Sequence, residues 1–581
     1  MNRLLLCGVY KPFGVRDETT EPLSTMELLN NQVTREQGIH SPRSNNPSFA
    51  LYLMAENVQV PTTVLDFPSW DDFKKEIDGG SYSHVGISFI VPNVMKARRM
   101  AKYIRHHAPG IKILLGGHGT SVPELKELVD CDEICHGEGV SWLRQYFGED
   151  LNSPIIHPTV PSSVNGFIYG APIMGKAGII IPGVGCQNSC RFCCTSHKFD
   201  RKYTSFLKTG EEIFAACRKC EEELGADDFG LMDENFCKAP KRADELLEQM
   251  EKHRKAYTFS TFSSAETLTS LGTEFVLRLG INFLWIGVES KADLFEKTKG
   301  IDLNKLISDL QDHGISVLAS AILFLEHHDK ESIHEDIDWA IGLESDLLQF
   351  MELGPNPGTS LYRDYEAAGK IMKDIPWARK HGQDEIWFHH PSFTLPETAS
   401  YLRDAFIKKY FLHGPGVLSM AMTSVKGYLR VKAEIAEREK LGMIWSPAAR
   451  KYVQGKGPAR DEFMHLRLDS MKKNALRFRP VLSSTLKYAA NGLAADKCRK
   501  VMALYNEAFG PMTFAERVRS LTVRLLAFRE NRRIKKEGVI MRQPPTSRTT
   551  YPDRSVKASG EDYILTKTAI AGRPEMEAVG Q

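Results

Sequence analysis

Apolar positions along this chain fall into short unbroken runs separated by stretches of helical spacing. In the first 150 residues the runs lie at 3–9, 63–67, 85–90 and 112–116, with helical patterns such as 94–107 and 122–129 between them. Unbroken apolar runs suit strands covered on both faces, and strands alternating with helices predict an open, doubly wound parallel sheet. The pattern resumes from 175 to 400. Runs at 177–181, 229–232, 258–263, 283–288, 315–325 and 347–353 are predicted strands, with helices at 209–224, 241–255, 265–279, 303–313 and 331–342. The chain is therefore of the α/β class, and its working groups are expected at the carboxyl ends of the strands. Residues 151–174, with Pro154, Pro158, Pro161, Gly166, Gly170 and Pro172, read as a linker along the surface. Residues 401–540 form a helical extension, with helices at 399–412, 426–441, 461–475, 497–509 and 514–536, and 541–581 reads as a mostly disordered tail.

Composition narrows the class. The 581 residues suffice for about three to four domains at ~150 residues each. Hydrophobic residues make up 42% and charged residues 25%, an ordinary soluble balance, and a formal net charge of +2 gives no case for nucleic-acid binding. No apolar run approaches the ~20 residues of a membrane span, and the apolar start 1–8 is too short for a signal peptide. Eleven cysteines in a chain of this length suit a metal site in a reducing cytoplasm better than a disulfide framework.

Three of those cysteines, Cys186, Cys190 and Cys193, stand at C-x3-C-x2-C spacing on the loop after the 177–181 strand. A [4Fe–4S] cluster takes four thiolates, so three from one loop leave one iron open to a small molecule. A zinc site completed by His197, or a set of buried thiols, is the alternative. Cys194 adjoins the loop. Cys217 and Cys220 have C-x2-C spacing on a predicted helix without a second pair, which suits buried free thiols.

The cysteine spacing, with the aromatic Phe192 before its last member, resembles the signature of the radical S-adenosylmethionine (radical SAM) enzymes. The resemblance implies a partial (β/α)6 TIM-type barrel, a [4Fe–4S] cluster held by Cys186, Cys190 and Cys193, and SAM chelated at the open iron and cleaved to a 5′-deoxyadenosyl radical. Gly287-Val288-Glu289-Ser290 resembles the fourth-strand motif, in which Glu289 would accept the SAM ribose hydroxyls. Asp233 and Glu234 stand where the family contacts the SAM amino group, and the backbone of Phe192 would lie near the adenine. Pro355-Asn356-Pro357-Gly358-Thr359 resembles the turn after the sixth strand. A helix N-cap for Glu289, and structural roles for Asp233 and Glu234, are the alternatives. The chain departs from the family after the fifth strand, where Leu325-Glu326-His327-His328-Asp329-Lys330 replaces a Gly-x-Pro-Gly-Glu turn. His327 and His328 either face a substrate or are exposed turn residues.

In the first domain, Ser88 and the loops Gly116-Gly117 and Gly137-Glu138-Gly139 sit at predicted strand ends, where glycine lets backbone approach a ligand. Each alone is ordinary turn chemistry. Together, ahead of such a barrel, they resemble the cobalamin-binding domain of cobalamin-dependent radical SAM proteins. The Asp-x-His-x-x-Gly motif is absent, since the loop after the first strand reads Tyr10-Lys11-Pro12-Phe13-Gly14-Val15-Arg16-Asp17. This implies binding without a protein histidine, or a domain that has lost cobalamin; His118 and His136 are not expected ligands.

The resemblance implies a methyltransferase acting on an unactivated carbon of a small-molecule or lipid substrate, with an electron donor such as flavodoxin or ferredoxin. A radical cyclase or oxidoreductase, and a non-catalytic cluster-bearing sensor, are the rivals. Residues 376–393, rich in aromatics and histidine, line the substrate pocket or serve packing. In 514–536, Phe514, Val518, Leu521, Leu525 and Phe528 recur on one helix face among eight Arg and Lys residues. That face either meets an anionic membrane surface or docks on the barrel.

Overall fold

The computed structural model describes residues 2–13, 33–173, 175–292, 294–538 and 542–554. Its first sheet has Leu4–Gly8 at the centre, paired in parallel with Thr62–Asp66 on one side and His84–Ser88 on the other, followed by Lys112–Gly116 and Glu133–Ile134. The apolar runs are continuous because helices cover both faces: Leu5 and Cys7 join one core, Leu4 and Leu6 another.

The outer edge of this sheet departs from the expectation for the tail. Ser547–Tyr551 pairs antiparallel with Thr62–Asp66, and Arg548 and Arg554 fasten it to Glu76 and Glu56, each at 2.9 Å. An open edge offers a row of unpaired amides and carbonyls, which a polar segment can satisfy without an apolar signature of its own. The rest of the tail, 555–581, lies outside the described residues.

The second sheet runs in the order Leu347–Glu352, Ser316–Leu323, Ile281–Glu289, Thr258–Ser263, Asp228–Leu231, Ala177–Ile180, Val160–Pro161. The first six are parallel and spatially in reverse sequence order; Val160–Pro161 joins antiparallel. The stretch 151–174 is thus more than a surface linker. Val160, Phe167 and Tyr169 are buried, and Val164–Ile168 pairs with Arg43–Asn45. Its prolines mark turns between short strands.

Helices Gly416–Lys440 and Glu462–Phe478 meet the second sheet at the amino ends of its strands, Gly427 against Gly314 and Arg467 beside Tyr257. Arg467, fully buried, donates to the carbonyls of Ala256, Tyr257 and Arg278 at 3.1, 2.6 and 3.1 Å. The helix Phe514–Glu537 docks through Ser520, Val523, Ala527 and Glu530. Its apolar stripe does not dock on the barrel: Phe514, Val518, Leu521, Leu525 and Phe528 are all exposed.

Candidate functional site

The three cysteines follow Ala177–Ile180 on a loop closed by its own hydrogen bonds. The amide of Cys193 donates to the Cys190 carbonyl (3.1 Å), and Ser196 Oγ donates to the Cys186 carbonyl (2.9 Å). Cys186, Cys190 and Cys193 line one cavity of about 310 Å³ at the carboxyl ends of the second sheet; Cys194, which opens the next helix, does not line it. Burial pushes all three thiols up, Cys193 to about 12. His197 is unsuited to complete a zinc site. Its Nδ1 lies 2.9 Å from the Cys193 carbonyl, and its Nε2 accepts the Ser360 amide at 3.2 Å. The ring instead holds the cysteine loop to the turn after Leu347–Glu352. The amide of Leu361, donating to the Arg191 carbonyl at 3.1 Å, adds to that hold.

Glu289 lines the same cavity at the end of its strand, 4% exposed, with φ +61 where the register with the neighbouring strand shifts. It caps no helix. Among the described residues the next one starts at Leu303 and is capped by Asp302. Its carboxylate is paired with the ammonium of Lys297. Burial opposes the charge on Lys297, but the Glu289 carboxylate outweighs it and holds the ammonium above the usual lysine range. Gly287 makes room for the pair: a Cβ there would run into the Glu289 carboxylate and stand 2.6 Å from Lys297 Nζ. Lys297 has no sequence signature.

The two acidic residues after the second strand separate. Asp233 is held in a buried network. Its Oδ2 accepts from Arg242 at 2.7 Å and from Tyr203 Oη at 2.6 Å, and its Oδ1 accepts the Asn235 amide at 3.0 Å. Glu234 is exposed to the cavity although protein surrounds it. That enclosure, with the neighbouring Asp233 charge, raises its carboxyl to about 7. Phe192 lines the cavity and meets the ring of Phe295 edge-on at 6.0 Å.

The rest of the wall comes partly from the segment 376–393 and partly from residues that the sequence did not mark. It includes Ser320, Glu352, His381 and Trp387. Glu352 is fully enclosed, and burial pushes its carboxyl well above the ordinary range. Of the aromatic and histidine segment 376–393, His381, Gly382 and Trp387 reach the cavity. Phe388 and Phe393 belong to the core. His328 is no exposed turn residue: it is buried, with Nε2 2.9 Å from Asp336, which also accepts from Ser290 Oγ at 2.6 Å. His327 is exposed. Cys217 and Cys220 are buried free thiols.

A second cavity, about 700 Å³, opens at the carboxyl ends of the first sheet. Ser88, Gly116, Gly117, Gly137, Glu138 and Gly139 all line it, as does His118, whose burial lowers it to about 4. They do different work. Gly116 and Gly137 have open space where a Cβ would project, so their backbone can be approached closely. Gly117 (φ +84) is needed for packing, because its Cβ would stand 2.5 Å from the Phe89 carbonyl. Glu138 caps the helix Gly139–Phe147, accepting the amides of Val140 and Ser141. The far side of this cavity is the second sheet. Ile181, Met232, Asp233, Glu234 and Phe262 belong to its wall, and Glu234 and Phe262 also line the cysteine cavity.

No family model and no curated protein matches the chain. Solved structures do. Two are of the radical S-adenosylmethionine methyltransferase TsrM from Kitasatospora setae. One, with tryptophan substrate and the SAM analog aza-SAM, shares 14% identity at a TM-score of 0.50 and covers 75% of this chain and 99% of its own. The other, with cobalamin and a [4Fe–4S] cluster bound, has the same identity and TM-score and covers 82% and 99%. The chain has this fold. Both comparisons take in nearly the whole of TsrM, so this chain's surplus length lies outside the shared architecture.

Proposed function

We propose that the chain is a cobalamin-dependent radical SAM enzyme that methylates an unactivated carbon of a small-molecule or lipid substrate. The observation that carries this reading is the meeting of two cavities at Glu234 and Phe262, one lined by three cysteines and Glu289, the other by the glycine loops. The likeness to TsrM, solved with cobalamin, a cluster and a SAM analog, supports it. The six sequential parallel strands support a partial (β/α)6 barrel.

The residues fit the groups. Cys186, Cys190 and Cys193 face one void while His197 is engaged elsewhere, a donor set for three irons that leaves the fourth for SAM. Open space beside Gly116 and Gly137 suits close passage of the cobalamin nucleotide tail, with Ser88 on the same wall. When bound, the cluster supplies the electron that cleaves SAM to methionine and a 5′-deoxyadenosyl radical, and cobalamin carries the methyl group.

The chain's own residues bind and orient. Glu289, fixed by Lys297 and by the space over Gly287, accepts the ribose hydroxyls. The Phe192 backbone borders the adenine. Glu234, on the wall common to both cavities, would take the SAM amino group. An external flavodoxin or ferredoxin supplies the electron.

The test is isotopic. Reduced, reconstituted full-length protein is incubated with cell extract and SAM labelled at its methyl carbon. A product heavier by one labelled methyl group supports the proposal. An unlabelled new product with 5′-deoxyadenosine release would make the protein a cyclase or oxidoreductase. Release of neither product would leave a cluster-bearing sensor.

A further inference from the structure

The helix Phe514–Glu537 docks through one side and leaves an apolar stripe on the other. At ~100° per residue, Phe514, Val518, Leu521, Leu525 and Phe528 fall within an arc of about 80°. The docked residues Ser520, Val523, Ala527 and Glu530 lie on the opposite side. The outward stripe is strongly exposed: Phe514 83%, Leu525 62%, Leu521 56%. It is a ridge of protruding side chains about 20 Å long at 1.5 Å per residue.

Charge is arranged around that stripe. On the same wheel Arg517, Arg524 and Lys535 flank one edge, and Arg529, Arg533 and Lys536 the other. The helix's acidic residues, Glu516, Glu530 and Glu537, fall on the docked half. Glu516 is tied into the Thr513 cap and to Arg479, and Glu530 to Arg533. Arg532 and Lys487 sit over the Phe528 ring at 5.7 and 5.6 Å, so cations border the apolar surface itself. Among the described residues no helix is long and apolar enough to cross a membrane.

We infer that this face is a docking surface for an anionic lipid bilayer, with the helix lying in the plane of the interface. An apolar ridge between two cationic edges matches a surface that offers hydrocarbon at depth and negative headgroups above it, where arginine and lysine stems extend to the headgroups. A second copy of this chain is a poor occupant, because apposing two such faces would bring two sets of cations together. An apolar groove in a partner protein would need acidic rims on both sides of the ridge. The inference is independent of the proposed chemistry. It places the protein where a lipid or membrane-dissolved substrate is concentrated.

Flotation of the full-length protein tests it. The vesicles are phosphatidylcholine alone, or phosphatidylcholine with ~30 mol% phosphatidylserine. Wild-type protein floats with the anionic vesicles at low salt, and the bound fraction falls at least ~10-fold in ~0.5 M sodium chloride, where the screening length is a few ångströms. The double variant Leu521→Glu with Leu525→Glu stays at the bottom of the gradient while keeping the wild-type melting temperature, since both side chains are exposed. Arg524→Glu with Arg529→Glu, which leaves the stripe intact, also loses binding. Any of three results overturns the inference: no flotation of wild type, equal flotation on neutral vesicles, or flotation undiminished in the Leu variant. So does a dimer that forms without vesicles and that the Leu variant abolishes, which would make the face a contact between copies.

Discussion

Lys198, in the helix that follows the three cysteines, donates its ammonium to the backbone carbonyl of Cys135, 3.1 Å away at the end of the other sheet. It also donates to Thr120 in the loop after Gly116-Gly117. The cysteine loop and the glycine loops are thereby held in one relative position. Replacing Lys198 with Met removes both bonds while keeping much of the stem. Cobalamin affinity is expected to fall about tenfold or more, the range for hydrogen bonds from a charged group. Iron content should not change. Equilibrium dialysis against cobalamin, with iron assayed on the same samples, reads both.

Glu289 and Gly287 share the same few ångströms of the cysteine cavity. Glu289→Gln removes the anionic acceptor and leaves Lys297 without its partner. SAM affinity is expected to fall by about 1.5–3 kcal/mol, measured by isothermal titration with the cluster intact. Gly287→Ala should approach the same loss, because its Cβ occupies the space into which the carboxylate turns. Normal SAM binding in both variants would remove Glu289 from the site.

The glycines of the first sheet are expected to separate by mechanism. Gly116→Val projects into open cavity and should abolish cobalamin binding with little change in melting temperature. Gly117→Val drives a side chain toward the Phe89 carbonyl from a φ that favours glycine, and should lower the melting temperature. Differential scanning fluorimetry beside a binding assay distinguishes the two.

Asp233 and Arg242 form a buried pair whose role is to hold the second strand's end. Arg242→Leu leaves the carboxylate uncompensated and should cost about 3–5 kcal/mol in urea unfolding of the apoprotein. Asp233→Asn should leave SAM affinity of the reconstituted protein unchanged. A SAM-specific defect in Asp233→Asn with unchanged stability would return Asp233 to the binding site.

What the sequence made legible follows from how far each signal reaches along the chain. The strand 112–116 and the helix 94–107 match Lys112–Gly116 and Val94–His107 residue for residue, because unbroken apolar runs and 3.6-residue spacing are local. The cysteine triad and Glu289 were legible because each is a compact motif on one loop or strand end. Lys297 and Ser320 reach the cavity from separate elements with no motif around them, and Glu352 stands just before the Pro355–Thr359 turn without belonging to it. Asp233 and Glu234 are adjacent and chemically alike, so only the position of Arg242, on the following helix, distinguishes the ion-paired carboxylate from the one that reaches the cysteine cavity. Ser547–Tyr551 has the composition of a tail and is a strand because an open sheet edge lies beside it.

Cofactor stoichiometry in a single polypeptide is the sharpest test of the two-cavity site. Full-length protein is reconstituted anaerobically with iron, sulfide and cobalamin, freed of unbound cofactor by gel filtration, and assayed for both. One cubane cluster requires about four irons per chain, and the wild-type protein is predicted to hold these together with one cobalamin. Cys186→Ala, Cys190→Ala and Cys193→Ala should each lose the iron, whereas Cys194→Ala, outside the cavity, should keep it. Iron retained in Cys193→Ala but lost in Cys194→Ala, zinc in place of iron, or wild-type protein that carries the cluster and no cobalamin under reducing conditions would contradict it.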